Sequence, residues 1–181
     1  MTTTRHTIKP ARFGTVSHDT LRTEDLLNAF ASELEWQIRR NGDYFSQPEN
    51  FAERDRLNAL VGEAQDAWQE DGETLKDEDE AQEMVNELQD ALSDNFAPMY
   101  GYFGTHCGDG SDFGYWVEIE NVKEQVGFVS SRDQAEPEAA FRGEWLEVNE
   151  RGNCTLYVRE DNTTDAFARD GYVDREIWGI V

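Results

Sequence analysis

The sequence predicts an α+β fold, with helices through the first half and an antiparallel β-sheet after them. Three observations carry that expectation. Apolar residues recur every three or four positions from Leu26 to Leu92. Pro98 closes this helical half. From Met99 onward, aromatic and β-branched residues alternate with polar ones.

Residues 13–16 read as an extended piece behind a short polar tail. Thr23 reads as the N-cap of the first helix, with Glu24 and Asp25 placed where they complement the helix dipole. Leu26, Phe30, Leu34 and Ile38 then recur every four residues, with Leu27 and Ala31 beside them, and Asn41-Gly42 stops the helix. A second helix is expected over about 50–70, with Leu57, Leu60, Val61, Ala64 and Trp68 as its stripe and Asp71-Gly72 as its break. A third is expected over 77–94. Ala81, Met84, Val85, Leu88 and Leu92 lie on one side of it. Glu80, Glu83, Glu87, Asp90 and Asp94 lie about 135° away at ~100° per residue.

Strands are expected at 99–103, 113–119, 144–148, 153–159 and 176–181. A hairpin turn joins two of them at 150–153. Residues 121–127 read as a short helix or a bent connection, and 130–138, 161–165 and 169–171 as loops or turns. The organisation is a helical part, 1–97, and a sheet part, 98–181, which can form one compact domain. Trp116, Trp145, Trp178, Tyr157 and Phe113 are expected in the core or on one face of the sheet.

Hydrophobic residues make up 38% of the 181, including five Trp, ten Phe and six Tyr, which is enough for a core and excludes a disordered chain. Sixteen cations face 39 acids, for a net charge of −23. Residues 1–62 are near neutral at −1, residues 63–94 carry −12, and residues 95–181 carry −10. A surface of this sign does not bind nucleic acid or anionic lipid directly. No stretch approaches the 18 apolar residues of a membrane span, and the first ten residues lack the apolar run of a signal peptide, so a cytoplasmic protein is expected. Cys107 and Cys154 stand outside any C-x-x-C spacing and read as reduced thiols, with a bridge between them left open.

No nucleophile elbow, P-loop, metalloprotease or dinucleotide fingerprint occurs, so no catalytic residue, cofactor or metal is assigned. The loop His106-Cys107-Gly108-Asp109-Gly110-Ser111-Asp112 admits a Ca²⁺ site, a Cys–His pair or a phosphate cradle. The favoured reading is a tight turn, with Gly108 and Gly110 at positive φ and the Asp side chains capping backbone N–H groups. His6, His18 and His106 are scattered along the chain.

The strongest functional signal lies between Glu63 and Asp94, where thirteen carboxylates meet one cation, Lys76. Read as one mostly helical stretch, it spans about 48 Å, one negative charge per 3–4 Å. A single DNA strand carries one per ~3.4 Å. In charge, size and helical placement of acid, the chain resembles the DNA-mimic proteins of phages and plasmids that block CRISPR effectors and restriction enzymes. The blocks 14–27, 102–116 and 152–157 and the terminal Glu176-Ile-Trp also look like an uncharacterised plasmid and phage protein family, which implies a mobile-element origin. The resemblance implies a non-catalytic anti-CRISPR or antirestriction inhibitor, monomeric or homodimeric. Its partner would be a basic, nucleic-acid-binding protein complex of the host. The residues expected to carry the contact are Glu80, Glu83, Glu87 and Asp90, with Glu70, Asp71, Glu73, Asp77, Glu78 and Asp79 in support. Three other readings compete. One makes the sheet a protein-interaction module, one centres a small hydrolase or metal-dependent enzyme on 106–112, and one takes the acid as the solvated surface of a salt-adapted protein.

Overall fold

A computed structural model describes residues 6–67, 77–162 and 171–180, and it is α+β. The chain forms two compact units, Met1–Trp116 and Val117–Val181. The division falls at Trp116/Val117, not at 97/98, because the first hairpin of the sheet half packs on the helices and belongs to their core.

In the first unit the elements run β1 (Gly14–Ser17), α1 (Thr23–Arg40), α2 (Gly42–Phe45), a 3₁₀ turn (Pro48–Asn50), α3 (Phe51–Asp66), α4 (Glu78–Phe96), β2 (Gly101–His106) and β3 (Asp109–Val117). The stripe expected for α1 is buried throughout, from Leu26 to Ile38. Thr23 is not its cap. It is the first helical residue, and its hydroxyl donates to Gln82 Oε1 at 3.2 Å. Arg22 holds the cap position without a side-chain bond. At the other end Asn41 is buried and holds the N-terminal segment. Its Oδ1 accepts from Lys9 N at 2.7 Å and its Nδ2 donates to Gln37 O at 3.0 Å.

Leu57, Leu60, Val61 and Ala64 of α3 and Ala81, Val85, Leu88, Ala91, Leu92 and Phe96 of α4 complete a helical core against Phe103, Phe113 and Tyr115. Phe30 meets Phe103 edge to face at 4.9 Å, and Phe103 meets Tyr115 at the same distance, so α1 is seated on the sheet by aromatic contacts. The sheet order is β1-β3-β2. β1 comes close enough to β3 that a Cβ on Gly114 would run into the Gly14 carbonyl, so only glycine fits there.

The second unit holds α5 (Ile119–Gln125), β4 (Phe128–Val129), β5 (Gly143–Val148), β6 (Cys154–Asp161) and β7 (Tyr172–Ile180), in the sheet order β4-β5-β6-β7. β5, β6 and β7 are antiparallel, as expected. β4 is not: it runs parallel to β5, pairing Phe128 with Trp145, because the connection between them, residues 130–142, is long enough to carry the chain back to the same end of the sheet. The β5–β6 turn closes where the sequence places it. Asn149 Oδ1 accepts from the backbone N–H of Arg151 and of Asn153, and Gly152 supplies φ +85. Leu146, Cys154, Leu156 and Trp178 are buried along the sheet, as are Val122 of α5 and Val126 just after it. The aromatic residues expected in the core or on one face of the sheet are thus shared between two units. Phe113 and Trp116 belong to the first unit, and Trp145, Tyr157 and Trp178 to the second.

Candidate functional site

Asp77 begins the acidic helix. Its extended backbone and its side chain, which accepts from Asp79 N and Glu80 N at 3.0 Å each, make it the N-cap of α4. Glu78, Asp79 and Glu80 fill the first turn, where the helix dipole favours negative charge. At ~100° per residue, Glu80, Glu83, Glu87, Asp90 and Asp94 fall within a stripe about 80° wide. All five are exposed, as are Asp77, Glu78 and Asp79. Among the described residues, no arginine, lysine or histidine lies within ion-pair distance of any of them. The eight carboxylates from Asp77 to Asp94 cover about 26 Å of helix axis, one per ~3.6 Å.

Glu70, Asp71 and Glu73 lie outside the described residues. The remaining acids do not extend α4 into a line of 48 Å, because α3 ends at Asp66 and α4 starts anew at Glu78. The two helices lie side by side instead. Between them runs a groove of about 430 Å³, lined by Glu63 of α3 and by Glu87, Asp90 and Asp94 of α4, with Arg56 as its cation. Arg56 is held by its own helix: Nη2 reaches Glu53 Oε1 at 2.7 Å and Nε reaches Oε2 at 3.1 Å. That pairing lowers the Glu53 pKa and raises that of Arg56, whose charge also feels Asp94 and Glu87. The acid therefore forms a patch across two helices. Glu63 and Asp94 belong to it although neither is among the residues selected from the sequence, since a linear reading does not show that α3 lies against α4.

The loop at 106–112 is a two-residue hairpin turn, Cys107-Gly108. Asp109 Oδ1 accepts from Ser111 N at 3.0 Å and from its hydroxyl at 2.8 Å, which holds the Asp109 carboxyl below its usual range. Gly108 and Gly110 do not take positive φ. Gly108 N instead donates to His106 Nδ1 at 3.1 Å, and side chains close the turn. The His106 ring is occupied by that bond and by an edge contact with Trp116 at 4.7 Å, so it is not placed as a base for Cys107. Both cysteines are free thiols, Cys107 exposed and Cys154 buried, and burial raises the Cys154 pKa. Among the described residues, no group of three or more His, Cys, Asp or Glu is arranged to hold a metal ion. Among the same residues, no helix is long and apolar enough to cross a membrane.

A second concave site lies in the first unit. A cleft of about 460 Å³ opens between residues 11–16 and the last turns of α1. Glu33, Trp36, Gln37 and Arg40 line its helical side, and Tyr115 forms part of its floor. Burial raises the Glu33 pKa, against a 2.8 Å bond from Gln37 Nε2, the Tyr115 hydroxyl and the charge of Arg40. Burial also raises the Tyr115 phenol far above its ordinary value, and the nearby Glu33 carboxylate adds to the shift. The spacing of Glu33, Trp36, Gln37 and Arg40 is that of one helix face and is visible in the sequence. Tyr115, contributed by β3, is not.

No protein-family model, curated protein or solved structure matches the chain.

Proposed function

We propose that the chain is a non-catalytic inhibitor that uses the outer face of α4 and the adjoining α3 groove as a mimic of the DNA backbone. The observation that carries this reading is the exposed carboxylate stripe, without an ion-pair partner among the described residues, on a helix whose opposite face is packed. A rigid helix holds its charges at fixed spacing, and one carboxylate per ~3.6 Å is close to the linear charge of one DNA strand. A groove lined with arginine and lysine for phosphates meets a comparable field here. The partner class is a basic, nucleic-acid-binding protein complex, with CRISPR effectors and restriction enzymes the foremost candidates. Each exposed ion pair contributes under ~1 kcal/mol, so the face acts collectively. It steers association, and its effect weakens as salt screens it.

Immobilised protein, exposed to lysates of cells carrying CRISPR and restriction systems, tests this directly. The expected result is a retained nucleic-acid-binding complex that duplex DNA or moderate salt elutes. A fourfold change, Glu80, Glu83, Glu87 and Asp90 each to Lys, should abolish retention, whereas single alanine changes should leave most of it. A retained partner that neither DNA nor salt releases, and that the fourfold variant still holds, would overturn the proposal.

A further inference from the structure

We propose that the cleft between residues 11–16 and the end of α1 binds the guanidinium of an arginine carried on an extended peptide. The inference stands independently of the α4 face. Two features mark the cleft as a built site. The Tyr115 side chain is 1% exposed and its hydroxyl is buried without a hydrogen bond of good geometry. A native fold rarely leaves such a group unmatched, and the mismatch calls for an explanation. Beside it, Glu33 is half-buried, and among the described residues no cation lies within ion-pair distance of it. Gln37, itself 1% exposed, fixes the carboxylate by donating to Oε1 at 2.8 Å.

The ligand chemistry follows from what is missing. A desolvated carboxylate lacking a cation is best matched by a group that is positive and donates from two N–H bonds in one plane. Guanidinium also stacks on indole, and Trp36, 47% exposed, stands at the cleft. Arg40 shows the preference within the chain: its guanidinium lies 5.3 Å from the Trp36 ring centroid. Arg40 acts on Glu33 through its charge but makes no ion pair with it, and its Nη1 donates to Pro10 O at 2.8 Å and to Gln37 Oε1 at 3.4 Å. The peptide form follows from the opposite wall, which is a run of extended backbone. Among the described residues β1 is the edge strand of its sheet and pairs with β3 alone, and Thr15 is exposed. Edge strands of this kind accept a further strand, with side chains reaching alternate pockets. An anionic ligand would draw on Arg12 and Arg40, yet it would have to sit beside the Glu33 carboxylate.

The test is fluorescence anisotropy of a labelled, end-capped hexapeptide with one arginine among Thr and Val, against the same peptide with citrulline or with glutamate in that place. The arginine peptide should bind, and the citrulline and glutamate peptides should bind at least tenfold more weakly. Glu33→Gln should weaken the arginine peptide at least tenfold, whereas Glu150→Gln in the exposed β5–β6 turn, which removes the same charge, should change it less than twofold. Trp36→Ala, a change at an exposed position, should weaken it several-fold with the fold intact. Equal losses from Glu33→Gln and Glu150→Gln would reduce the binding to general attraction by an acidic protein and overturn the site. Preference for the glutamate peptide or for inorganic phosphate, or no binding of the arginine peptide at all, would overturn it too.

Discussion

The outer face of α4 and one face of the β5–β6–β7 sheet handle charge in opposite ways. In the sheet, Arg159 has no exposed side-chain surface, yet it is fully satisfied. Its Nε and Nη2 reach the two oxygens of Asp174 at 2.8 and 2.6 Å, and its Nη1 reaches Pro137 O at 2.8 Å. Its guanidinium lies 3.9 Å from the Tyr172 ring centroid, and Trp145 Nε1 gives Asp174 a further bond at 3.0 Å. On α4, eight carboxylates stand in water, and only Asp77 bonds to its own helix. Where charge holds a unit together, every donor finds an acceptor. Where it does not, the charges are left open to solvent.

The strongest way to break this comparison is to remove Asp174. Asp174→Ala leaves a buried guanidinium without its counter-charge and should cost about 3–5 kcal/mol in urea unfolding. Arg159→Met should cost less, because the abandoned Asp174 side chain is 23% exposed and can hydrate. A loss under ~1 kcal/mol from Asp174→Ala would put this pair in the same class as the surface charges. The pair also sets an acid limb. Burial pushes the Asp174 pKa up, but hydrogen bonds from Arg159 and Trp145 and the guanidinium charge outweigh it and hold the carboxyl below its ordinary 3.8. A carboxyl lowered by folding adds stability above the unfolded pKa and loses it as pH falls through the folded value. The wild type should therefore lose stability below about pH 4, and Arg159→Met should lose less over that range.

The two regions differ in how far the sequence discloses them. The α4 face is local: its stripe repeats every three or four residues, so Glu80, Glu83, Glu87 and Asp90 lie where their spacing predicts. The α1 core stripe is legible for the same reason. The Arg159 cluster joins Pro137, Trp145, Tyr172 and Asp174, which only strand register brings together. Periodicity says nothing of register between strands far apart in the chain. Tyr115 reaches Glu33 across 82 positions by the same kind of non-local pairing, so that cleft is invisible too. The parallel β4 was missed because two residues, Phe128 and Val129, are too short a run to show a period.

Smaller effects sharpen the contrast inside α4 and α1. Asp77→Ala removes the one α4 carboxylate with a local structural role, and should cost about 1 kcal/mol and fray the first turn, measurable by hydrogen exchange at Asp79 and Glu80. Asp77→Asn should restore most of it. Glu33→Gln should act in the other direction. Burial holds the Glu33 carboxyl above its ordinary 4.5, so the folded state keeps that proton longer than the unfolded chain. Stability from this group is present below the unfolded pKa and declines as pH rises through the folded one. Glu33→Gln should remove that decline, and its melting temperature at pH 7 should equal or exceed the wild type's.

The smallest expected effect on stability is the most informative about α4. Glu83, Glu87 and Asp90 are exposed and lack ion-pair partners among the described residues, and they repel one another at i, i+3 and i, i+4 spacing. Replacing all three, as Glu83→Gln, Glu87→Gln and Asp90→Asn, should leave the fold unchanged and raise stability by about 0.5 kcal/mol at low salt. The gain should shrink toward zero in 1 M salt, where charges are screened within ~3 Å. The same variant should lose the DNA-displaceable partner, separating what the acid does for the fold from what it does for binding. A loss above about 1 kcal/mol at low salt would place these carboxylates with Asp174, as groups the fold depends on, and would remove the reason for seeking their partner outside the chain.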